Sequence, residues 1–320
     1  MRLKKTFKNS FYLYLNSIFN SILGFLFFLV IAKAFSLEEM NSYSAFINTL
    51  LFLLVFLDFG IYNYTWNYIS KGKNNVFTPL FLYLIILALF SLVSIIFKIF
   101  DYFFLAIFSF AFFAQLLRSI IYGKQRMDLF FITEFLPTLL KLILAILFYN
   151  SLSLETIKLI FLITFSFSFL LKAIGLLSLK IPIKKEFYLP NIFALFSAYL
   201  LILAPAIYNN LSLSLISSLF EIGSIIYFGF SISLPLYLSI SPLISGVAPI
   251  LTSYRKNSIF SFFFNLSNFL ILIVSIFLIL FLDDLINAVN KSYLPYKDQI
   301  ILIIFSSIFL AISNVLETFL

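Results

Sequence analysis

Five ionisable side chains lie within stretches that are otherwise apolar, and these residues are the best placed for chemistry. They are Asp58, Arg118, Glu134, Lys141 and Lys172. An ionisable residue near the middle of a membrane span costs about 3 kcal/mol on insertion scales, so such residues usually face the interior of a helix bundle. We therefore predict that these five residues line an internal cavity and that the cations among them hold an anionic group.

The spacing of these residues limits which of them can pair. Glu134 and Lys141 are seven residues apart, which places them on one helix face but roughly 10 Å apart along the axis at 1.5 Å per residue. Glu134 is instead predicted to pair with Arg118 or Lys172, which lie at a similar depth. Lys141, near the middle of its span, would then remain available to an anionic substrate. Two alternatives stay open: Arg118 and Lys172 extend to the membrane surface, and Asp58 is a packing residue bonded to neighbouring hydroxyl groups.

The residue types that are missing exclude several classes of function. The 320-residue sequence contains no Cys and no His, which removes disulfides, thiolate metal sites, Cys or His nucleophiles and His proton relays. It has no G-x-x-x-x-G-K-[ST] loop for direct use of ATP. A membrane glycosyltransferase or polymerase needs reactive residues in sizeable external loops, and no loop here is long enough. We expect no enzymatic activity, no cofactor and no metal.

The elements that position the five residues are long apolar helices. Hydrophobic residues make up 63% of the chain and charged residues 11%, whereas a soluble protein carries about 25% charged residues. The apolar runs are continuous, which favours helices over a transmembrane barrel. We predict an all-α polytopic membrane protein with about ten spans. These are 11–32, 41–66, 77–97, 102–121, 129–149, 156–178, 191–213, 222–248, 258–281 and 299–320.

The connections between these spans alternate in charge. Those on the side of the N-terminus hold thirteen Lys and Arg residues, and those on the other side hold five, most of them diluted by Asp and Glu. The positive-inside rule places the N-terminus in the cytoplasm. This alternation also accounts for most of the net charge of +8, so nucleic-acid binding is not expected.

The order of the predicted spans indicates two helical bundles. Residues 1–178 would form a six-helix bundle, 179–190 a basic connector along the cytoplasmic interface, and 191–320 a four-helix bundle. Ser36-Leu37-Glu38-Glu39 before the second span and Ser218-Leu219-Phe220-Glu221 before the eighth form a weak internal repeat. Many transporters are built from such repeats, with the substrate site between them.

Four short motifs, in order along the chain, resemble bacterial polysaccharide flippases of the multidrug/oligosaccharidyl-lipid/polysaccharide exporter superfamily. Residues 35–44 are similar to the family's first periplasmic turn, Leu-Gly-Pro-Glu-Glu-Phe-Gly-x-Tyr-Ser, and Leu57-Asp58-Phe59-Gly60-Ile61 is similar to its Leu-Asp-Phe-Gly-Leu. Residues 225–230 with Pro249 resemble its eighth helix, and Lys291-Ser292-Tyr293 a later turn. The chain departs from the family at Ser36, Leu37 and Asn41, and in having four spans rather than six in its second bundle.

The resemblance implies a flippase that moves an isoprenoid-diphosphate-linked oligosaccharide across the bacterial cytoplasmic (inner) membrane by alternating access, for O-antigen, lipopolysaccharide or other surface polysaccharide. Membrane lipid and other polysaccharide-assembly membrane proteins are the implied partners. The alternatives are a cation-coupled small-molecule exporter of the same superfamily and an inactive truncated remnant.

Two further sets of residues are candidates for lesser roles. Asn16, Asn20, Asn209 and Asn210 would line the cavity for sugar hydroxyls, or bond between helices as such residues more often do. Pro137, Pro205 and Pro235 interrupt predicted spans and would provide kinks for a rocking motion.

Overall fold

In the computed structural model most of the described residues are helical, and these residues are 2–72, 76–179, 195–196, 199–200, 203–204, 206–219, 222–233 and 257–319. Twelve α-helices lie in these ranges. They are α1 (Arg2–Ala34), α2 (Leu37–Phe56), α3 (Ile61–Ser70), α4 (Phe77–Ile96), α5 (Tyr102–Gly123), α6 (Met127–Leu147), α7 (Leu154–Ser178), α8 (Ser212–Leu219), α9 (Gly223–Ile232), α10 (Asn257–Leu280), α11 (Leu282–Val289) and α12 (Lys297–Phe319).

Among the described residues, seven helical segments are long and apolar enough to cross a membrane. An eighth is possible if α10 and α11, bent by 64° at Phe281, count as one span. These segments confirm an all-helical membrane protein. The predicted count of ten, the cytoplasmic N-terminus and the division at 178 stay predictions. The connector at 180–190, Pro205, Pro235 and much of the predicted spans 191–213 and 222–248 lie outside the described residues.

Polar residues at the helix starts explain several of the boundaries. Ser36 and Glu39 form a reciprocal capping box at the start of α2: the backbone N–H of Ser36 donates to Glu39 Oε2 at 2.9 Å, and that of Glu39 donates to Ser36 Oγ at 3.3 Å. Asp101 caps α5 by accepting from the N–H of Phe104, and Ser153 caps α7 by accepting from the N–H of Thr156. The Ser-Leu-Glu-Glu stretch that carries part of the family resemblance therefore has a structural role.

The chain divides into two compact units. Unit 1 comprises Met1–Ser44, Ala145–Leu152 and Ile216–Leu320, and unit 2 comprises Ala45–Leu144 and Ser153–Leu215. In unit 1, aromatic rings from distant parts of the chain pack together, and Phe228 stacks on Tyr293 at 3.8 Å between centroids. Asn290 donates to the carbonyls of Ala32 and Phe35 at 3.0 and 2.9 Å, which satisfies the C-terminal end of α1.

Unit 2 is built around α5, whose membrane-spanning window is 67% buried. Helices α3, α4 and α7 pack against it. Gly123 at the end of α5 allows α3 to approach closely, because a Cβ there would lie 2.8 Å from the carbonyl oxygen of Trp66. This packing brings residues of α2, α3, α5, α6 and α7 around one internal space.

The second predicted span, 41–66, is broken rather than continuous. Residues 57–60 leave the helix between α2 and α3, and both Phe59 (φ 48°) and Gly60 (φ 77°) are left-handed. A β-carbon on Gly60 would lie 2.7 Å from the carbonyl oxygen of Leu195, so glycine serves both the backbone conformation and the close approach. Hydrophobicity alone does not reveal this break, because the apolar pattern runs through it.

Candidate functional site

Unit 2 contains a cavity of about 680 Å³. Helices α2, α3, α5, α6 and α7 contribute to its wall, together with Tyr199 and Asn210. All five ionisable residues singled out from the sequence line it: Asp58, Arg118, Glu134, Lys141 and Lys172. The structure thus brings together side chains from four separate segments of the chain. Whether they bind a substrate stays a prediction.

Glu134 lies between two of the cations. Its Oε1 is 3.0 Å from Lys172 Nζ and 3.5 Å from Arg118 Nε. The predicted pairing of Glu134 is therefore confirmed, and it involves both candidate partners rather than one. Glu134 reaches them because α5, α6 and α7 all contribute to the wall of the same cavity.

The two cations are held to different degrees. The Lys172 side chain is 4% exposed and also donates to Ser168 Oγ at 2.5 Å. The Arg118 side chain is 43% exposed, its guanidinium lies 5.3 Å from the centre of the Phe130 ring, and its buried Nε has no hydrogen-bond acceptor within the described part of the chain. The alternative in which Lys172 extends to the membrane surface does not fit its buried position.

Lys141 lies two turns beyond Glu134 on α6 and also lines the cavity. Its Nζ is 5.4 Å from the centre of the Phe161 ring of α7, a distance at which a cation is attracted to the ring face. Pro137, between Glu134 and Lys141, lines the same cavity within a helix that continues past it.

Asp58 lies in the break between α2 and α3 and is 3% exposed. Its carboxylate accepts hydrogen bonds from the Tyr83 hydroxyl and from the backbone N–H of Tyr62, the latter at 3.1 and 3.2 Å to its two oxygens. The interpretation of Asp58 as a packing residue bonded to a hydroxyl fits this geometry, although Asp58 also lines the cavity. Tyr83 on α4 was not identified from the sequence, because a tyrosine in an aromatic-rich helix carries no distinguishing signal.

Uncharged polar residues complete the lining, and most of them were missed. They are Tyr62, Asn63, Gln115, Thr138, Thr164, Ser168, Tyr199 and Asn210. The signal that identifies Gln115 is its position: it lies one turn before Arg118 on α5, in a stretch that is otherwise apolar. Of the asparagines proposed from the sequence, Asn210 lines the cavity, whereas Asn20 donates to Asn16 within α1 at 2.7 Å. The side chain of Asn209 lies outside the described residues.

Charges outside the cavity form local pairs. Arg126 and Asp128 form a bidentate pair with N···O distances of 2.9 and 3.0 Å. That hydrogen bonding raises the pKa of the Arg126 guanidinium. Lys158 pairs with Glu155 at 2.7 Å and with Asp101 at 3.4 Å.

In the part of the chain that the structure describes, no three His, Cys, Asp or Glu side chains lie close enough together to form a metal site.

Comparison with known proteins shows which solved structures share this fold. No protein-family profile matches the sequence, and the search of curated proteins found no match. Solved structures do match. An outward-facing multidrug-resistance MATE transporter of the MOP superfamily superposes with a TM-score of 0.62 at 14% identity, over 98% of this chain and 84% of the other. An inward-facing form gives 0.60 at 14% identity, over 94% and 82%.

A MOP superfamily transporter from Pyrococcus furiosus Vc1 (DSM3638) gives a TM-score of 0.57 at 13% identity, over 98% and 84% of the two chains. At such low identities the likeness shows the fold alone. The chain therefore has a MATE-like fold, the fold of the MOP superfamily, and the narrower resemblance to polysaccharide flippases rests on the sequence motifs.

Proposed function

We propose that this chain is a membrane transporter that flips an isoprenoid-diphosphate-linked oligosaccharide by alternating access, with the cavity of unit 2 holding the diphosphate and the first sugars. The observation that carries the proposal is the charge of the cavity. Three cations and two carboxylates line the part that the structure describes, so the lining has one excess positive charge in a largely apolar surrounding. A cation costs most to bury where water is excluded, so an anion that enters such a site is held by charge.

The uncharged lining fits a glycan better than a simple anion. Asn63, Gln115 and Asn210 each present an amide with two donors and one acceptor, and Tyr62 adds an aromatic face and a hydroxyl. Asn63 is oriented by Trp66, whose Nε1–H donates to Asn63 Oδ1 at 3.2 Å. Sugars present adjacent hydroxyls and apolar ring faces, and amide and aromatic side chains match these two features. We assign the cations to the diphosphate and this set to the sugars.

The MATE-like fold supports transport in general and does not choose the substrate. The Pyrococcus furiosus protein was described as having a binding pocket of reversed polarity that suggests a different function. Pockets of differing polarity therefore occur on this fold. A net positive lining argues for an anionic substrate in this chain, and the motif resemblance argues for the lipid-linked oligosaccharide among anionic substrates.

A second candidate is a cation-coupled small-molecule exporter, and Asp58 is the observation that favours it. Asp58 is a buried carboxylate that lines the cavity and forms no salt bridge with any described residue. Such a group can carry a proton or a small cation. The two candidates differ in what Lys141 does: it attracts a diphosphate but repels a cationic drug.

The test is complementation of a bacterial strain that lacks its own polysaccharide flippase. Surface glycan and the lipid-linked oligosaccharide that accumulates in the inner leaflet are measured for the wild type, for Lys141→Ala and for Lys71→Ala, an exposed lysine outside the cavity. The proposal expects the wild type and Lys71→Ala to restore glycan, and Lys141→Ala to fail at equal membrane abundance. Export of cationic dyes that Lys141→Ala leaves intact or improves, with no glycan from any variant, would favour the exporter instead.

A further inference from the structure

We infer that Glu134 is an internal counter-anion: in the empty cavity its single negative charge is shared between Arg118 and Lys172, and an incoming anionic headgroup takes Arg118 away from it while Lys172 keeps it. This inference rests on the proposed function and concerns the regulation of the same site. It assigns to Glu134 a role opposite to that of a substrate ligand, since its carboxylate competes with the substrate.

The first support is that one carboxylate serves two cations. Glu134 Oε1 faces Lys172 Nζ at 3.0 Å and Arg118 Nε at 3.5 Å, and all three residues line the cavity. A guanidinium has five N–H donors in a planar fork that matches two acceptor oxygens at once. A single oxygen at 3.5 Å leaves most of that capacity unused, so the Arg118 side of the arrangement is the weaker one.

The second support is the difference in burial between the two cations. Lys172 is 4% exposed and has Ser168 as an additional acceptor, whereas the Arg118 side chain is 43% exposed. Removing the partner of a buried charge is costly, while a charge that is open to the cavity can change partners cheaply. An anion that enters the cavity therefore meets Arg118 first and leaves the Glu134–Lys172 pair intact.

For transport, this arrangement lets the cavity bind the diphosphate tightly enough to load it and weakly enough to release it. Without Glu134, both Arg118 and Lys172 would act on the diphosphate together with Lys141, and release on the far side would be slow. With Glu134 present, its carboxylate returns to Arg118 as the substrate leaves and replaces the departing charge. Glu134 is thus a positioning residue for Arg118 and sets the rate of release.

The experiment measures binding of geranylgeranyl diphosphate, with geranylgeraniol as the uncharged reference, to the full chain in lipid nanodiscs. The inference expects Glu134→Gln to bind the diphosphate about tenfold more tightly than the wild type, equivalent to about 1.4 kcal/mol, with slower dissociation and unchanged binding of the alcohol. The matched control is Asp128→Asn on the same helix, which removes one negative charge paired with Arg126 outside the cavity and should leave affinity unchanged.

A second pair of variants tests the coupling to Arg118. In the Arg118→Gln background, Glu134→Gln should give a smaller gain in affinity than in the wild type, because Arg118 is absent and only the buried Lys172 is then released. If Glu134→Gln does not fold, Lys172→Met is compared with Glu134→Gln/Lys172→Met. Both halves of the buried pair are then removed together, and the double variant should still bind more tightly than Lys172→Met.

The outcomes separate this inference from the proposed function. Diphosphate binding by the wild type with no gain in folded Glu134→Gln, or with an equal gain in Asp128→Asn, overturns the inference and leaves the proposed function standing. No binding by the wild type but clear binding by Glu134→Gln supports the inference, since the counter-anion then blocks the site. No binding by either protein overturns both.

Discussion

The Glu134 carboxylate on α6 lies 3.0 Å from the ammonium group of Lys172 on α7. Neither residue has a partner of this kind on its own helix, so the pair exists only because the fold brings both side chains to the wall of one cavity. The Lys172 charge is almost completely buried, and its stability in that position depends on Glu134 and Ser168.

Replacing Glu134 with Ala should destabilise the protein by about 3 kcal/mol, because it leaves the buried Lys172 charge without its carboxylate. The double variant Glu134→Ala/Lys172→Met should recover most of that loss, since no buried charge then remains at this position. Thermal unfolding of the purified chain in detergent measures both effects. A double variant less stable than Glu134→Ala alone would show that the pair does not act as a unit.

Replacing Tyr83 with Phe should lower the free energy of unfolding by about 1–3 kcal/mol, because it removes the hydroxyl that donates to the buried Asp58 carboxylate. Tyr102→Phe is the matched control, since Tyr102 is 78% exposed, and it should change stability little. The same unfolding measurement compares them. Equal effects of the two substitutions would mean that the Tyr83–Asp58 hydrogen bond contributes nothing specific.

Replacing Gly60 with Ala should destabilise the break between α2 and α3 by at least about 1 kcal/mol. Gly60 has φ 77°, and a β-carbon there would lie 2.7 Å from the Leu195 carbonyl oxygen. Gly24→Ala within α1 is the contrasting case, because nothing lies within 4 Å of the added carbon. There the higher helix propensity of alanine should leave stability unchanged or raise it by up to about 1 kcal/mol. A melting temperature for Gly60→Ala at or above that of Gly24→Ala would contradict this account.

Replacing Gln115 with Leu should weaken recognition of the glycan and leave recognition of the diphosphate intact. Gln115 lines the cavity one turn before Arg118 and offers an amide but no charge. Binding of geranylgeranyl diphosphate should therefore be unchanged, while surface glycan in the complemented strain falls several-fold. Gln299→Leu at an exposed position of α12 is the control. Loss of diphosphate binding in Gln115→Leu would show that this residue acts on Arg118 rather than on the sugars.

The class of this protein and the five charged residues of its cavity could be predicted from the sequence alone. Apolar length and composition are local properties, so the all-helical membrane fold and the candidates Asp58, Arg118, Glu134, Lys141 and Lys172 followed without knowledge of packing. Because an unpaired charge in lipid is costly in free energy, an ionisable residue within an apolar run is easily recognised as a candidate. Depth in the membrane alone also limited the predicted partners of Glu134 to two residues, Arg118 and Lys172.

The arrangement of these residues could not be predicted and became known from the packing of the helices. The structure showed that Glu134 contacts both cations, that Tyr83 and the backbone of Tyr62 hold Asp58, and that a break at 57–60 interrupts an apolar run with no loss of hydrophobicity. Contacts between helices depend on the rotation and level of each helix, and hydrophobic pattern fixes neither when most faces of a helix are apolar. Apart from Asn210, the uncharged lining of the cavity was not predicted for the same reason, because an amide or tyrosine in a span gives no sign of which neighbour it will contact.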